Sequence, residues 1–112
     1  MVDIVQPDIM YNGGIIRNIQ VAQWAEKYDI PVMPHSPKVG AEAAAVLHFA
    51  SIARNLGQHQ EYRGEYIPPE SWYAPSFEII NGAVPVPNGP GLGVSYDAEI
   101  WRNTRVLTSS ER

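Results

Sequence analysis

A chain of 112 residues, 45% hydrophobic and 18% charged, has the length of one domain and the composition of a folded one, which argues against disorder. Eight basic against twelve acidic residues leave a net charge of −4. That balance speaks against a nucleic-acid partner and against an anionic membrane surface, both of which need clustered Lys and Arg. The lack of cysteine rules out a disulfide framework and a thiolate metal site, and it fits a reducing cytoplasm, the expected location.

Val2 to Val5 reads as a short strand that stops at Gln6-Pro7-Asp8. No basic region followed by an apolar stretch precedes it, so no signal peptide is expected, and no apolar run is long enough to span a membrane. Asn12-Gly13-Gly14 is turn chemistry. From Ile15 to Tyr28 the residues Ile15, Ile19, Ala22, Ala25 and Tyr28 recur at helical spacing, with Arg17, Gln20, Gln23 and Glu26 on the polar faces, which predicts an amphipathic helix.

The unit then repeats. Ile30 to Met33 is a second predicted strand, broken by Pro34 and followed by the loop His35-Ser36-Pro37. Gly40 opens a second helix predicted to reach about Arg54, and Gly57 precedes a third strand placed around Gln58 to Gln60. Alternation of this kind predicts parallel β/α units in one sheet with helices on a face. The second helix carries Ala43, Ala44, Ala45, Val46, Phe49 and Ile52 with little polar face, so it requires burial on more than one side. Three β/α units cannot supply that, and a further element is expected to pack there.

After Glu61 the chain turns rich in Pro, Gly and aromatic residues, with Pro68-Pro69, Trp72, Tyr73 and Phe77. Phe77 to Val86 reads as extended or hairpin-like, Asn88-Gly89-Pro90-Gly91 as a tight turn, and Asp97 as the cap of a helical turn through Trp101. Thr108 to Arg112 is expected to fray. Residues 1–61 are therefore read as β/α units and 62–112 as a loop and closing segment of the same unit.

Asp8, His35 and Glu61 stand at the ends of the three predicted strands, one polar group per unit. In parallel β/α folds the carboxyl ends of adjacent strands meet on one face, where catalytic residues gather. Asp8 is placed to hydrogen-bond one nitrogen of His35 and fix its tautomer, with Glu61 across the pocket. Each has a plainer reading, as a loop Asp, a structural His between prolines and a solvated Glu. His48, within the apolar helix, reads as a satisfied core histidine. His59 is expected to point to the opposite side of the third strand from Gln58 and Gln60, the loop residue Lys38 reads as exposed, and the three histidines lack metal-ligand spacing.

These residues carry a resemblance to the enolase superfamily, specifically its mandelate racemase, muconate lactonizing enzyme and acid-sugar dehydratase group. Asp3-Ile4-Val5-Gln6-Pro7-Asp8 with Gly13-Gly14 resembles the sixth strand of that family's (β/α)8 TIM barrel. Pro31-Val32-Met33-Pro34-His35-Ser36 resembles the seventh strand and His59-Gln60-Glu61-Tyr62 the eighth. Asn81-Gly82, Val84-Pro85-Val86-Pro87 and Gly89 to Val94 are similar to the segment that returns to the capping domain.

The resemblance implies an α/β fold, the carboxy-terminal part of such a barrel, with about three parallel β/α units and a Pro/Gly-rich tail. It implies that Asp8 and His35 form a dyad beside a substrate carboxylate, that His35 also protonates a departing β-hydroxyl, and that Glu61 hydrogen-bonds the carboxylate oxygen. It further implies a carboxylate-bearing substrate, a sugar acid for a dehydratase or a 2-hydroxy acid for a racemase or epimerase. Mg²⁺ is expected in the full-length enzyme, held by carboxylates on strands that precede this chain. The chain alone is then expected to bind no metal, to be inactive and to self-associate as a homo-oligomer through its open edges. A non-catalytic, autonomous binding module is the alternative.

Overall fold

A computed structural model describes residues 2–37, 40–63 and 72–106. Lys38, Pro68-Pro69 and Thr108 to Arg112 lie outside the described residues.

Three extended segments run side by side and parallel. Val5 pairs with Val32, Val32 with Leu56, and Asp8 with His35. The ladder is carried by Val5 N–H to Pro31 O (3.0 Å), Met33 N–H to Val5 O (2.9 Å), Val32 N–H to Asn55 O (2.9 Å) and Gly57 N–H to Val32 O (2.8 Å). The third segment therefore pairs through Asn55 to Gly57, and the strand expected at Gln58 to Gln60 is displaced toward the amino terminus. Gly57 joins the ladder at a position where a Cβ would meet Met33 Cγ at 2.5 Å, so glycine is the residue that fits there. Gln58 and His59 bend away.

Helix α1, Gly14–Glu26, joins the first two segments. Gly13 enters it with φ 85°, a left-handed conformation that glycine adopts without the Cβ penalty. Asn18 is fully buried; it accepts from Asn12 Nδ2 at 3.0 Å and donates to Gly14 O at 2.7 Å. Ala22 and Ala25 face the core and Ile15 and Ile19 pack beside it, as their spacing predicts. Tyr28 does not join them and is 77% exposed. Asp29 takes φ 55°, and Ile30 N–H returns to Ala25 O at 3.0 Å, so the helical register ends before Tyr28 is reached.

Helix α2, Ala43–Ile52, joins the second and third segments and is buried on two sides. Ala45, Val46 and Phe49 pack with Ile9, Ala22 and Val32 between the helices and the sheet. Ala43 and Ala44 pack with Ala41, Tyr73 and Phe77. The element demanded by the apolar helix is thus the aromatic tail.

That tail is held by short pairings. Strand β1, Tyr73–Ala74, runs antiparallel to β2, Ser95–Tyr96. Ile80 and Ala83 close a hairpin across Asn81 and Gly82, both at positive φ. Helix α3, Ala98–Arg102, begins at Asp97, whose side chain accepts from Glu99 N–H at 2.9 Å.

Tyr73 carries one unfavourable feature. Its hydroxyl is buried without a hydrogen-bond partner. Burial, and then the nearby charge of Glu42, push its pKa up from 10.0. Tyr73→Phe should therefore raise stability by about 1 kcal/mol, since an unsatisfied buried hydroxyl costs on that order. The folded state holds the phenol proton more tightly than the unfolded one, so stability is intact below pH 10 and falls as pH rises through the folded pKa. The phenylalanine variant should lose part of that alkaline slope. Urea unfolding at neutral pH and above pH 10 reads both effects, and a less stable variant would show that the hydroxyl has a partner.

Candidate functional site

The sequence pattern around Asp8 explains its place. Pro7 ends the first segment, and Asp8 Oδ1 accepts the N–H groups of Met10 (2.8 Å) and Tyr11 (3.1 Å), the side-chain turn typical of Asp. His35 N–H bonds Pro7 O at 3.0 Å, so Asp8 and His35 stand opposite each other at the ends of adjoining segments.

Glu61 arrives from the third segment. Its Oε2 lies 2.9 Å from His35 Nδ1 and accepts the Ser36 N–H at 2.8 Å. The side chains of His35 and Glu61 are 49% and 35% exposed, so the pair is reachable from solvent while Ser36 beneath it is buried. Sequence reasoning put Glu61 across a pocket from His35 and Asp8 at the ring nitrogen. In the structure Glu61 Oε2 lies within hydrogen-bond distance of the ring. The Ser36 amide escaped sequence reasoning altogether, since a backbone donor leaves no residue-type signal.

A cavity of about 600 Å³ opens on the α2 side of Glu61, lined by Ser36, Gln60, Glu61 and Tyr62 and by the apolar Leu47 and Val84. The Tyr62 hydroxyl donates to Phe77 O, and burial, followed by the neighbouring Tyr73 and Glu78, raises its pKa. Tyr62 is thus a neutral donor that ties the end of the third segment to the tail.

The other histidines fall outside this site. His48 is half-buried, and its Nε2 lies 3.1 Å from Leu92 O, an acceptor, so Nε2 carries the hydrogen and pins the turn before β2 to α2. His59 is exposed. Among the described residues no three of His, Cys, Asp and Glu stand close enough together to hold a metal ion. No helix among them is long and apolar enough to cross a membrane.

Comparison with known proteins adds a family to this geometry. The family described as enolase C-terminal domain-like matches residues 1–100. A D-galactonate dehydratase of Xanthomonas euvesicatoria pv. vesicatoria is 28% identical over 92% of the chain. The chain spans only 28% of that relative's length. An isomerase from Streptomyces coelicolor A3(2) superposes with a TM-score of 0.79 at 30% identity, covering 91% of this chain and 28% of that one. An enolase from Thermobispora bispora, complexed with magnesium and formate, superposes with a TM-score of 0.78 at 27% identity, over 91% of this chain and 25% of that one.

Proposed function

The chain belongs to the enolase C-terminal domain-like family, and on that footing we propose that it supplies the proton-handling end of a sugar-acid dehydratase active site, completed by elements of a larger barrel. The observation that carries the reading is a half-exposed His35 held by Glu61 at the meeting point of three parallel segment ends. The D-galactonate dehydratase relative supports a sugar acid as substrate.

His35 then acts on the carbon beside the substrate carboxylate. As that C–H bond breaks, His35 takes the proton and the electron pair moves toward the carboxylate. The neighbouring C–O bond breaks as His35 delivers a proton to the departing hydroxyl, and the enol left behind becomes a 2-keto acid. A proton beside a carboxylate is very weakly acidic, so this step needs strong stabilisation of the charge that develops. A bound magnesium ion, such as the Thermobispora enolase contains, would neutralise that charge. Among the described residues of this chain no three of His, Cys, Asp and Glu stand together to hold such an ion, and the roles of His35 and Glu61 need none bound to them. Asp8 adds a carboxylate on the adjoining segment end.

Exposed Ile4, Ile16, Trp24 and Trp101 support burial of this unit against further barrel elements, or against a second copy of the chain. The isomerase relative supports a second reading, racemisation or epimerisation of a 2-hydroxy acid at the same residues.

The two are separated by a chimera in which residues 1–100 replace the matching segment of the Xanthomonas D-galactonate dehydratase. With D-galactonate and magnesium in heavy water, a dehydratase end releases a 2-keto acid. Deuterium exchange beside the carboxylate with no loss of water would favour the isomerase reading. A folded chimera that does neither would overturn both.

A further inference from the structure

The loop between Asp8 and α1 ends in the two residues best able to unhinge it. Gly13 and Gly14 follow one another at φ 85° and 82°, a region that glycine enters freely and other residues rarely use. Gly13 supplies no side-chain cap, and the first turn of α1 carries no acidic residue to steady the helix start. The clamp comes from inside the helix. Asn18 accepts from Asn12 Nδ2 at 3.0 Å, before the glycines, and donates to Gly14 O at 2.7 Å, beyond Gly13. Asn12 N–H in turn bonds Asp8 O, and Gly14 N–H bonds Ile9 O, both at 2.9 Å. At the far end Asp8 Oδ1 accepts the amides of Met10 and Tyr11. A run of hydrogen bonds therefore links a buried helical side chain to the carboxylate at the end of the first segment.

Asn18 is a costly residue for its place. It is fully buried, within a helix. Asparagine forms helix less readily than alanine or leucine, and a buried amide is tolerated only when its hydrogen bonds are made. An apolar side chain would serve the core better. Both of the bonds above go to the junction of loop and helix, which is where the residue has its effect.

We propose that Asn18, acting through Asn12, is a positioning residue for Asp8: it locks the Gly13-Gly14 hinge and so holds the Asp8 carboxylate in one place on the segment end beside His35. The inference rests on the reading of Asp8 and His35 as members of the proton-transfer site and extends that site to a residue no substrate can reach.

Two variants test it. Asn12→Ala removes the loop side of the clamp and leaves the helix interior intact, whereas Asn18→Leu removes both bonds at similar volume. In the chimera each should lower kcat about 10- to 100-fold, the scale on which a small misplacement of reacting groups acts, with KM nearly unchanged. In the 112-residue chain, read by amide hydrogen exchange, Met10 and Tyr11 should exchange at least about tenfold faster in each variant. The Val32 amide, bonded to Asn55 O in the ladder, should keep its rate. Equal acceleration of all three amides, with kcat preserved, would mean that the asparagines serve stability alone and would overturn the proposal. So would unchanged exchange at Met10 and Tyr11, or an active chimera whose kcat ignores Asn12→Ala. The Asn12 variant decides even if Asn18→Leu fails to fold. A chimera with no dehydration at all sinks the dehydratase reading instead, and the exchange pattern still decides whether the hinge is clamped.

Discussion

Dehydration by the chimera should fall by about 10²- to 10⁴-fold in kcat when His35 is replaced by asparagine, the range lost when a positioned acid–base group is removed. Asparagine keeps a polar side chain of similar reach but cannot exchange a proton near neutral pH. The main chain at this position is fixed by the bond from His35 N–H to Pro7 O, which the substitution leaves in place, so the fold should persist. KM should change little, because the loss falls on the chemical step. The comparison is a steady-state assay of the two chimeras at matched magnesium. A loss of less than tenfold would remove His35 from the proton transfer.

The largest loss of stability is expected at Phe49. It is fully buried and packs among Ile9, Ala22 and Val32 at the junction of α1, α2 and the sheet. Phe49→Ala should cost about 3–5 kcal/mol, the sum of lost burial and the cavity left behind. A domain of this size has only about 5–15 kcal/mol in total. The loss should spread to the tail, since α2 carries Ala45, Val46 and Phe49 toward the first cluster and Ala43 and Ala44 toward the second. Urea titration followed by far-ultraviolet dichroism and by Trp72 fluorescence should therefore shift together. A cost below 1 kcal/mol would mean that Phe49 does not anchor the core.

Much of this architecture is legible in residue order, and the failures have physical causes. Helix α1 is announced by Ile15, Ile19, Ala22 and Ala25, yet Tyr28 continues the same spacing and lies outside. Periodicity carries no information about Asp29 turning left-handed. The two-sided burial of α2 follows from its composition, but which element covers the second side depends on the path of the tail. The hairpin-like character of Phe77 to Val86 and the Asp97 cap are local chemistry and are readable as such, whereas the turn at Asn81 and Gly82 is located only by the structure. The two-residue pairing of β1 with β2 is not, because residues so far apart in the chain carry no mutual signal.

At the site, the order Asp8, His35, Glu61 showed which groups share an edge. It did not show that Glu61 approaches the ring of His35, a contact between residues distant in the chain that becomes visible only in three dimensions.

The most direct measurement is a side-by-side assay of the purified 112-residue chain and the chimera with D-galactonate and magnesium. Turnover by the chimera and none by the chain alone is the expected result, since the proposed proton transfer at His35 needs stabilisation that only the chimera would supply. Turnover by the isolated chain, or none by a folded chimera, would contradict the assignment.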